Sequence, residues 1–304
     1  MKRRIIDKAF RAATLAQIEQ ANRIITEYQR QGFTLTLRQL FYQFVSRELL
    51  PNTSKAYDKL GRTINDARMA GLVDWDAIED RTRNLHAWEN WNSGADLLAD
   101  AVGWFRTDKW ADQERYVEVW IEKDALVGVI EGVCRELEVP FFACRGYPSL
   151  SELWSAAQRF TGRYYAEDGG MFRETGQYPL VIHLGDHDPR GLDMTRDVRD
   201  RLHLLTGLPI DIERIALNRD QIEEHSLPPN VAKLTDSMAA AYVAEHGPVS
   251  WELDALEPQT ISELVRGRVL HHRDQDVWEV SAEREKQIRA RLNLTMDNFQ
   301  REGV

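Results

Sequence analysis

Four apolar runs, at 116–121, 139–144, 179–184 and 210–217, alternate with helical patterns at 124–137, 150–165 and 191–205. Strands joined by helical crossovers lie parallel in one sheet and are covered by helices on both faces. The spacing therefore predicts an α/β domain with a mostly parallel sheet. The polar, glycine-containing stretch 166–178 reads as a loop before the third run, and 220–304 reads as charged helix broken by Pro228-Pro229, Gly247-Pro248 and Pro258.

Three carboxylates fall where strands of that sheet should end. Glu122 closes Y-V-E-V-W-I-E-K-D, while Asp186 and Asp188 follow P-L-V-I-H-L-G in D-H-D-P-R-G. Open α/β sheets bind ligands in the crevice at the C-terminal ends of their strands. Glu122 lies 64 residues before Asp186, room for a crossover that returns to the same edge of the sheet. Hard oxygen donors grouped there suit Mg²⁺ or Mn²⁺, held through one or two carboxylates plus waters and substrate phosphate. Pro189 is placed for the first turn of the following helix.

The segment before the sheet is helical and basic. Ile18, Ala21, Ile24 and Ile25 form one stripe in 7–30, and Gly32 ends it. Thr34 or Thr36 caps a second helix whose stripe is Leu37, Leu40, Phe41, Phe44 and Val45. A third helix covers about 54–70, followed by a small apolar strand at 72–75. Three short helices and a strand fit either a winged-helix domain or a generic bundle. Residues 1–73 carry a net charge of +7 within a chain of −10, which leaves −17 on the remainder. A basic segment attracts a phosphate backbone while the acidic remainder keeps the protein soluble. Arg38, Arg47, Lys55, Lys59, Arg62 and Arg68 are the candidate contacts to double-stranded DNA.

Tyr42 falls off the stripe of the second helix, beside Arg38 one turn earlier. A phenol ionises only near pH 10 and is a weak nucleophile at neutral pH; a guanidinium beside it favours the phenolate or holds the phosphate it attacks. His187 reads as pointing away from both flanking aspartates, and His271-His272 lack a carboxylate at ligand spacing. Cys134 and Cys144 form neither a CxxC pair nor a disulfide framework. Phosphate loops of the NTPase or dinucleotide type are absent. A hydrophobic fraction of 43% without a span of roughly 20 apolar residues fits a globular protein of the cytoplasm, not of a membrane.

The strand-Glu, strand-D-x-D-P-x-G pattern resembles the Toprim domain of topoisomerases, primases and related nucleases. T-L-R-Q-L-F-Y-Q at 36–43 resembles the tyrosine motif shared by the DNA-cleaving subunit of topoisomerase VI and the meiotic double-strand-break transesterases. G-Y-P-S at 146–149 and W-E-L-D-A-L at 251–256 resemble later stretches of the same subunit. Phe41 stands in place of the usual first tyrosine and Gln39 in place of the usual acid. The resemblance implies a winged-helix (CAP-like) DNA-binding domain at 1–112 carrying Tyr42, a Rossmann-like Toprim domain at 113–220, and a helical segment at 221–304 packing on it. It further implies catalysis by Tyr42, Arg38 and Glu122, a metal on Glu122, Asp186 and Asp188, and double-strand breaks made by a homodimer in which the tyrosine of one protomer works with the metal of the other. The chain is then a compact, nucleoid-associated relative of the kind found in mobile elements, without strand passage of its own and open to an unidentified partner subunit. Two alternatives stay open: a hydrolytic Toprim nuclease in which Tyr42 only positions DNA, and a non-catalytic DNA-binding component of a larger complex.

Overall fold

The computed structural model describes residues 2–78, 90–168, 171–174, 176–231 and 239–301. Helices α1 (Ala12–Arg30), α2 (Leu37–Ser46), α3 (Ser54–Met69) and α4 (Gly94–Trp104) precede strand β1 (Arg115–Ile121). Then come α5 (Val127–Leu137), β2 (Phe141–Ala143), α6 (Leu150–Tyr164), β3 (Tyr165–Asp168), β4 (Met171–Glu174) and β5 (Tyr178–Leu184). The chain continues through α7 (Pro189–Thr206), β6 (Asp211–Ala216), α8 (Arg219–Glu224), β7 (Asn230–Val231), α9 (Ala239–His246) and β8 (Val249–Ser250), and ends in α10 (Pro258–His271) and α11 (Gln275–Arg301). Among the described residues no helix is long and apolar enough to cross a membrane.

The protein is α/β, built on a four-stranded, fully parallel sheet in the order β2-β1-β5-β6. Its strands occupy the four apolar runs. Alternate residues of a strand point to opposite faces, and the two faces bury different sets. Val117, Val119, Ile121, Leu180, Ile182 and Leu184 pack with α5 and α10, while Tyr116, Trp120 and Val181 pack with α6 and α7. Part of the C-terminal segment is thus built into the core: Ile261, Val265 and Val269 of α10 belong to the same cluster as β1 and β5.

Three expected features differ. The segment 220–304, read as helix, also contains β7 and β8, which pair antiparallel. Where a loop was expected at 166–178, strands β3 and β4 pair antiparallel. The strand expected at 72–75 is absent. Val73 is fully buried, but the chain turns through a 3-10 turn at Trp75–Ala77, and only the isolated bridges Arg4–Ala70 and Leu35–Ile78 form there. Arg68 fixes that turn by donating to the carbonyls of Trp75 and Ile78. Part of the expected 1–112 domain, residues 79–89, lies outside the described residues.

The basic segment has its own core, in which Ile18, Ile24 and Tyr28 of α1 meet Leu40 and Phe44 of α2 and Leu60 and Ile64 of α3. Thr36 starts α2 with a capping box: its backbone N–H donates to Gln39 Oε1 (2.8 Å), and Gln39 N–H donates to Thr36 Oγ1 (3.2 Å). Gln39, the departure from the tyrosine motif, therefore has a local task of its own. Phe44 is fully buried at the centre of this cluster. Phe44→Ala is expected to cost about 3–5 kcal/mol, read as a lowered urea midpoint.

Candidate functional site

The site begins with strand register. Ile121 of β1 pairs with Leu184 of β5, so the residues after the two strands emerge side by side. Glu122 Oε2 accepts a hydrogen bond from the backbone N–H of Asp186 (2.8 Å). Asp188 caps α7, its Oδ1 accepting from Gly191 N–H (2.7 Å), and Pro189 occupies the first helical turn as expected. Gly191 is needed for that turn, because a Cβ there would lie 2.1 Å from the Asp186 carbonyl oxygen. Gly185 likewise leaves room on one side for the Glu122 carboxylate and on the other for Arg214.

Arg214 lies under this loop as a buried cation that sequence reasoning missed. Its guanidinium donates to the carbonyl oxygens of Gly185 (2.8 Å), Asp186 (2.6 Å), Gly191 (2.9 Å) and Leu217 (3.2 Å). Burial pulls its pKa down to about 10, still well above neutrality. The acidic loop therefore sits over a fixed positive charge, and its backbone carbonyls are satisfied without water.

His187 is structural, in keeping with its expected direction. Its imidazole is buried against Tyr242, whose hydroxyl lies 3.0 Å from Nδ1, and burial lowers its pKa to about 4. Its backbone has a larger role. His187 N–H donates to Trp251 O (2.9 Å) and Trp251 N–H returns a bond to His187 O (3.0 Å). This two-way bridge brings W-E-L-D-A-L onto the acidic loop, where Leu253 N–H donates to Asp186 Oδ1 (2.8 Å). Glu252 and Asp254, whose segment was noted in the sequence but given no task, are thereby placed in the site.

Lys123 sits among these acids. Its ammonium lies 2.9 Å from Asp186 Oδ1, 2.9 Å from Glu252 Oε2 and 2.6 Å from Asp254 Oδ2. Burial disfavours its charge, but the three carboxylates outweigh burial and hold its pKa above the ordinary lysine value. From the other side Arg38 pairs with Glu252, and its Nε lies 3.6 Å from Asp254 Oδ2. Burial would raise Glu252, yet Lys123 and Arg38 overcome it and hold that acid at about 2.

Tyr42 is buried, with 4% of its surface exposed. It does leave the stripe of α2, as helical spacing requires, but the side it faces is covered by the 3-10 turn Leu253–Ala255, and it joins the core on the α5 face of the sheet. Burial first, then the Glu252 charge, push its pKa up to about 12. Arg38, with its guanidinium carbon 5.8 Å from the ring centroid, pulls the other way without prevailing. Asn230 Nδ2 bridges to Tyr42 Oη at 3.5 Å and to Glu252 Oε1 at 3.3 Å.

One cavity of about 570 Å³ gathers Arg38, Tyr42, Lys123, Asp186, Asp188 and Glu252, and Asn52, Thr53, Ser54 and Tyr57 also line it. Tyr42 and the acids Asp186, Asp188 and Glu252 line this cavity from the same chain. Glu122 does not line this cavity; it stands behind Asp186 and holds the latter's backbone. Among the described residues no three His, Cys, Asp or Glu side chains are gathered as a ready-made metal cluster. The donor chemistry nevertheless fits a magnesium-like ion, which asks the protein for only one or two carboxylates. Burial raises Glu122 and pushes Asp186 up to about 7 against the pull of Lys123, Asp188 raises Glu122 further and Glu122 raises Asp186 further.

The expected DNA contacts are dispersed. Arg38 is committed to the acids, Arg47 makes a bidentate pair with Glu27 (3.0 and 3.1 Å), and Arg68 is turned inward. Lys55, Lys59 and Arg62 are exposed along α3, on the side of the helix away from the cavity-lining Thr53 and Tyr57. Helical spacing puts these three on one stripe but cannot bring that stripe to the cavity.

Because burial holds Asp186 partly neutral, it favours the ion-free fold below the ordinary carboxylate pKa of about 4, and this contribution is lost as pH rises through about 7. Measured against Asp186→Asn, which lacks this titration, the ion-free wild type is expected to lose melting temperature from pH 4 to 7.5. Paired thermal melts across that range check it. No family model matches the chain, and no curated protein matches it.

Proposed function

We propose that this chain is a metal-dependent DNA-cleaving enzyme of the kind found in topoisomerase VI, in which Tyr42 attacks a backbone phosphate. The observation that carries this reading is the shared cavity: a tyrosine and an arginine of α2, in the basic helical segment, open onto the carboxylates at the ends of a parallel sheet. Acids after β1 and β5, with Asp188 also capping α7, suit a Toprim-like layout, and α1–α3 suit a winged-helix-like DNA-binding domain. Double-stranded DNA is the substrate, and a homodimer supplies one Tyr42 per strand.

Asp186 and Asp188 line the cavity and would hold Mg²⁺ or Mn²⁺, with Glu122 behind Asp186 as the third acid of the set, and the ion would supply charge neutralisation at the phosphate and the leaving oxygen. Tyr42 Oη forms the new bond to phosphorus as its proton passes to water. The P–O3′ bond breaks, and the departing 3′ oxygen takes up a proton. The break leaves protein on each 5′ end. Arg38, one helical turn from Tyr42, exchanges its acid partners for the phosphate and orients it.

A second reading is favoured by the Tyr42 pKa of about 12, which keeps the side chain a neutral phenol at pH 7. Water activated at the same acids would then cleave the DNA, with Tyr42 positioning the strand. Incubation of supercoiled plasmid with Mg²⁺ or Mn²⁺, followed by a denaturing gel with and without protease, separates the two. Transesterification gives 5′ ends that enter the gel only after protease, and Tyr42→Phe lowers cleavage by about 100-fold or more, the scale on which a lost nucleophile acts. Free ends from both wild type and Tyr42→Phe would establish hydrolysis. No cleavage by the wild type, with DNA binding retained, would leave the chain a non-catalytic DNA-binding protein.

A further inference from the structure

Asp186 is the acid that the cleavage reading assigns to the metal, yet Lys123 already lies 2.9 Å from it. The balance of charge within the cluster determines how the site responds when an ion binds. Lys123 and Arg38 bring two positive charges, and Glu252 and Asp254 bring two negative ones, each cation within reach of both acids. The four are neutral together without Asp186. A divalent ion therefore takes Asp186 without stranding a buried charge, and Lys123 stays where Glu252 and Asp254 hold it.

Its position is well fixed. The Lys123 side chain is 19% exposed and that of Asp254 is 0%, so the ammonium is anchored from behind while still lining the cavity. It comes directly after Glu122 in the chain, and its partners come from the segment that the His187–Trp251 bridge fastens to the acidic loop. An ammonium held there flanks any ion on Asp186 and faces the same phosphate.

We infer that Lys123 is a built-in second cation of the site, which contacts the scissile phosphate beside a single divalent ion and holds the place a second ion would take. This rests on the metal-dependent cleavage reading above and specifies its stoichiometry. A fixed ammonium performs part of the charge stabilisation that a two-ion site assigns to its second metal. It also needs no recruitment from solution.

The test is Mn²⁺ titration of the full-length protein, followed by electron paramagnetic resonance and calorimetry, alongside plasmid cleavage. The wild type is expected to bind one Mn²⁺ per chain. Lys123→Gln leaves Asp186, Glu252 and Asp254 short of one cation, so it is expected to bind a second Mn²⁺ while cleavage at saturating Mn²⁺ falls by about 100-fold, the scale of one lost charge-stabilising donor. A structural role would instead lower both binding and cleavage. Two ions on the wild type, or one ion and unchanged cleavage in Lys123→Gln, would overturn the inference. If Lys123→Gln does not fold, Lys123→Arg carries the test: one ion with cleavage within about tenfold of wild type supports it, and two ions refute it. Wild-type protein that binds one Mn²⁺ but leaves DNA intact would sink the cleavage reading while leaving the stoichiometry standing, which keeps the two failures distinct.

Discussion

The ion cluster around Lys123 ties together stretches of chain that are far apart in sequence. Lys123 comes from the end of β1, Asp186 from the loop after β5, Glu252 and Asp254 from the segment after β8, and Arg38 enters from α2. Pairing of this density in a half-buried place is weak evidence for stability, since desolvation offsets much of the attraction. Its effect is on geometry. Removing Lys123, Arg38, Glu252 or Asp254 leaves a charge in the cluster without its partner, so these four are held in one arrangement, and that arrangement shapes the cavity. Tyr28 reaching Glu257 and Asn52 reaching Asn230 add contacts along the same seam.

Helix α2 is the mechanical counterpart of that cluster. Its ten residues serve two cores: Leu40, Phe41, Phe44 and Val45 pack with α1 and α3, while Tyr42 packs with the α5 face of the sheet. Arg38, on the same flank as Tyr42, supplies the charge contact. A helix buried on both sides has little freedom to rotate, so the distance of Tyr42 from Asp186 is set by packing and not by a loop. The arrangement also explains why the hydroxyl ionises with difficulty: the packing that positions it removes the water that would stabilise a phenolate.

The sheet was legible because strand and helix periodicities differ and each apolar run was followed by its own crossover. The three acids were legible for a related reason, since strand ends are visible wherever an apolar run stops. Lys123, Asn230, Glu252 and Asp254 were not, because nothing in their local pattern separates them from surface charges; the bridge between His187 and Trp251 gathers them across more than sixty residues. Arg214 was hidden by its partners, which are backbone carbonyls and carry no sequence signature. The charge of the basic residues was visible in the sequence, but their pairing was not: Arg38 and Arg68 meet partners within the fold, and Arg47 pairs with Glu27 at the surface.

The burial of Tyr42 and the charge of Glu252 act on the same hydroxyl, and they respond differently to a bound phosphate. Desolvation of the phenol persists as long as α2 stays packed against Leu253–Ala255. The field of Glu252 depends on how fully Lys123 and Arg38 neutralise it, and an anionic phosphate competes for both cations. A phosphate that drew Arg38 away without supplying its own counter-charge would expose Tyr42 to a barer Glu252 and push ionisation further out of reach. On the proposed mechanism, covalent attack would therefore require a divalent ion to arrive with the phosphate, so that the cavity gains positive charge overall as Arg38 changes partners. Metal dependence and the use of Tyr42 would then be one electrostatic requirement, imposed by the placement of a single glutamate next to the phenol.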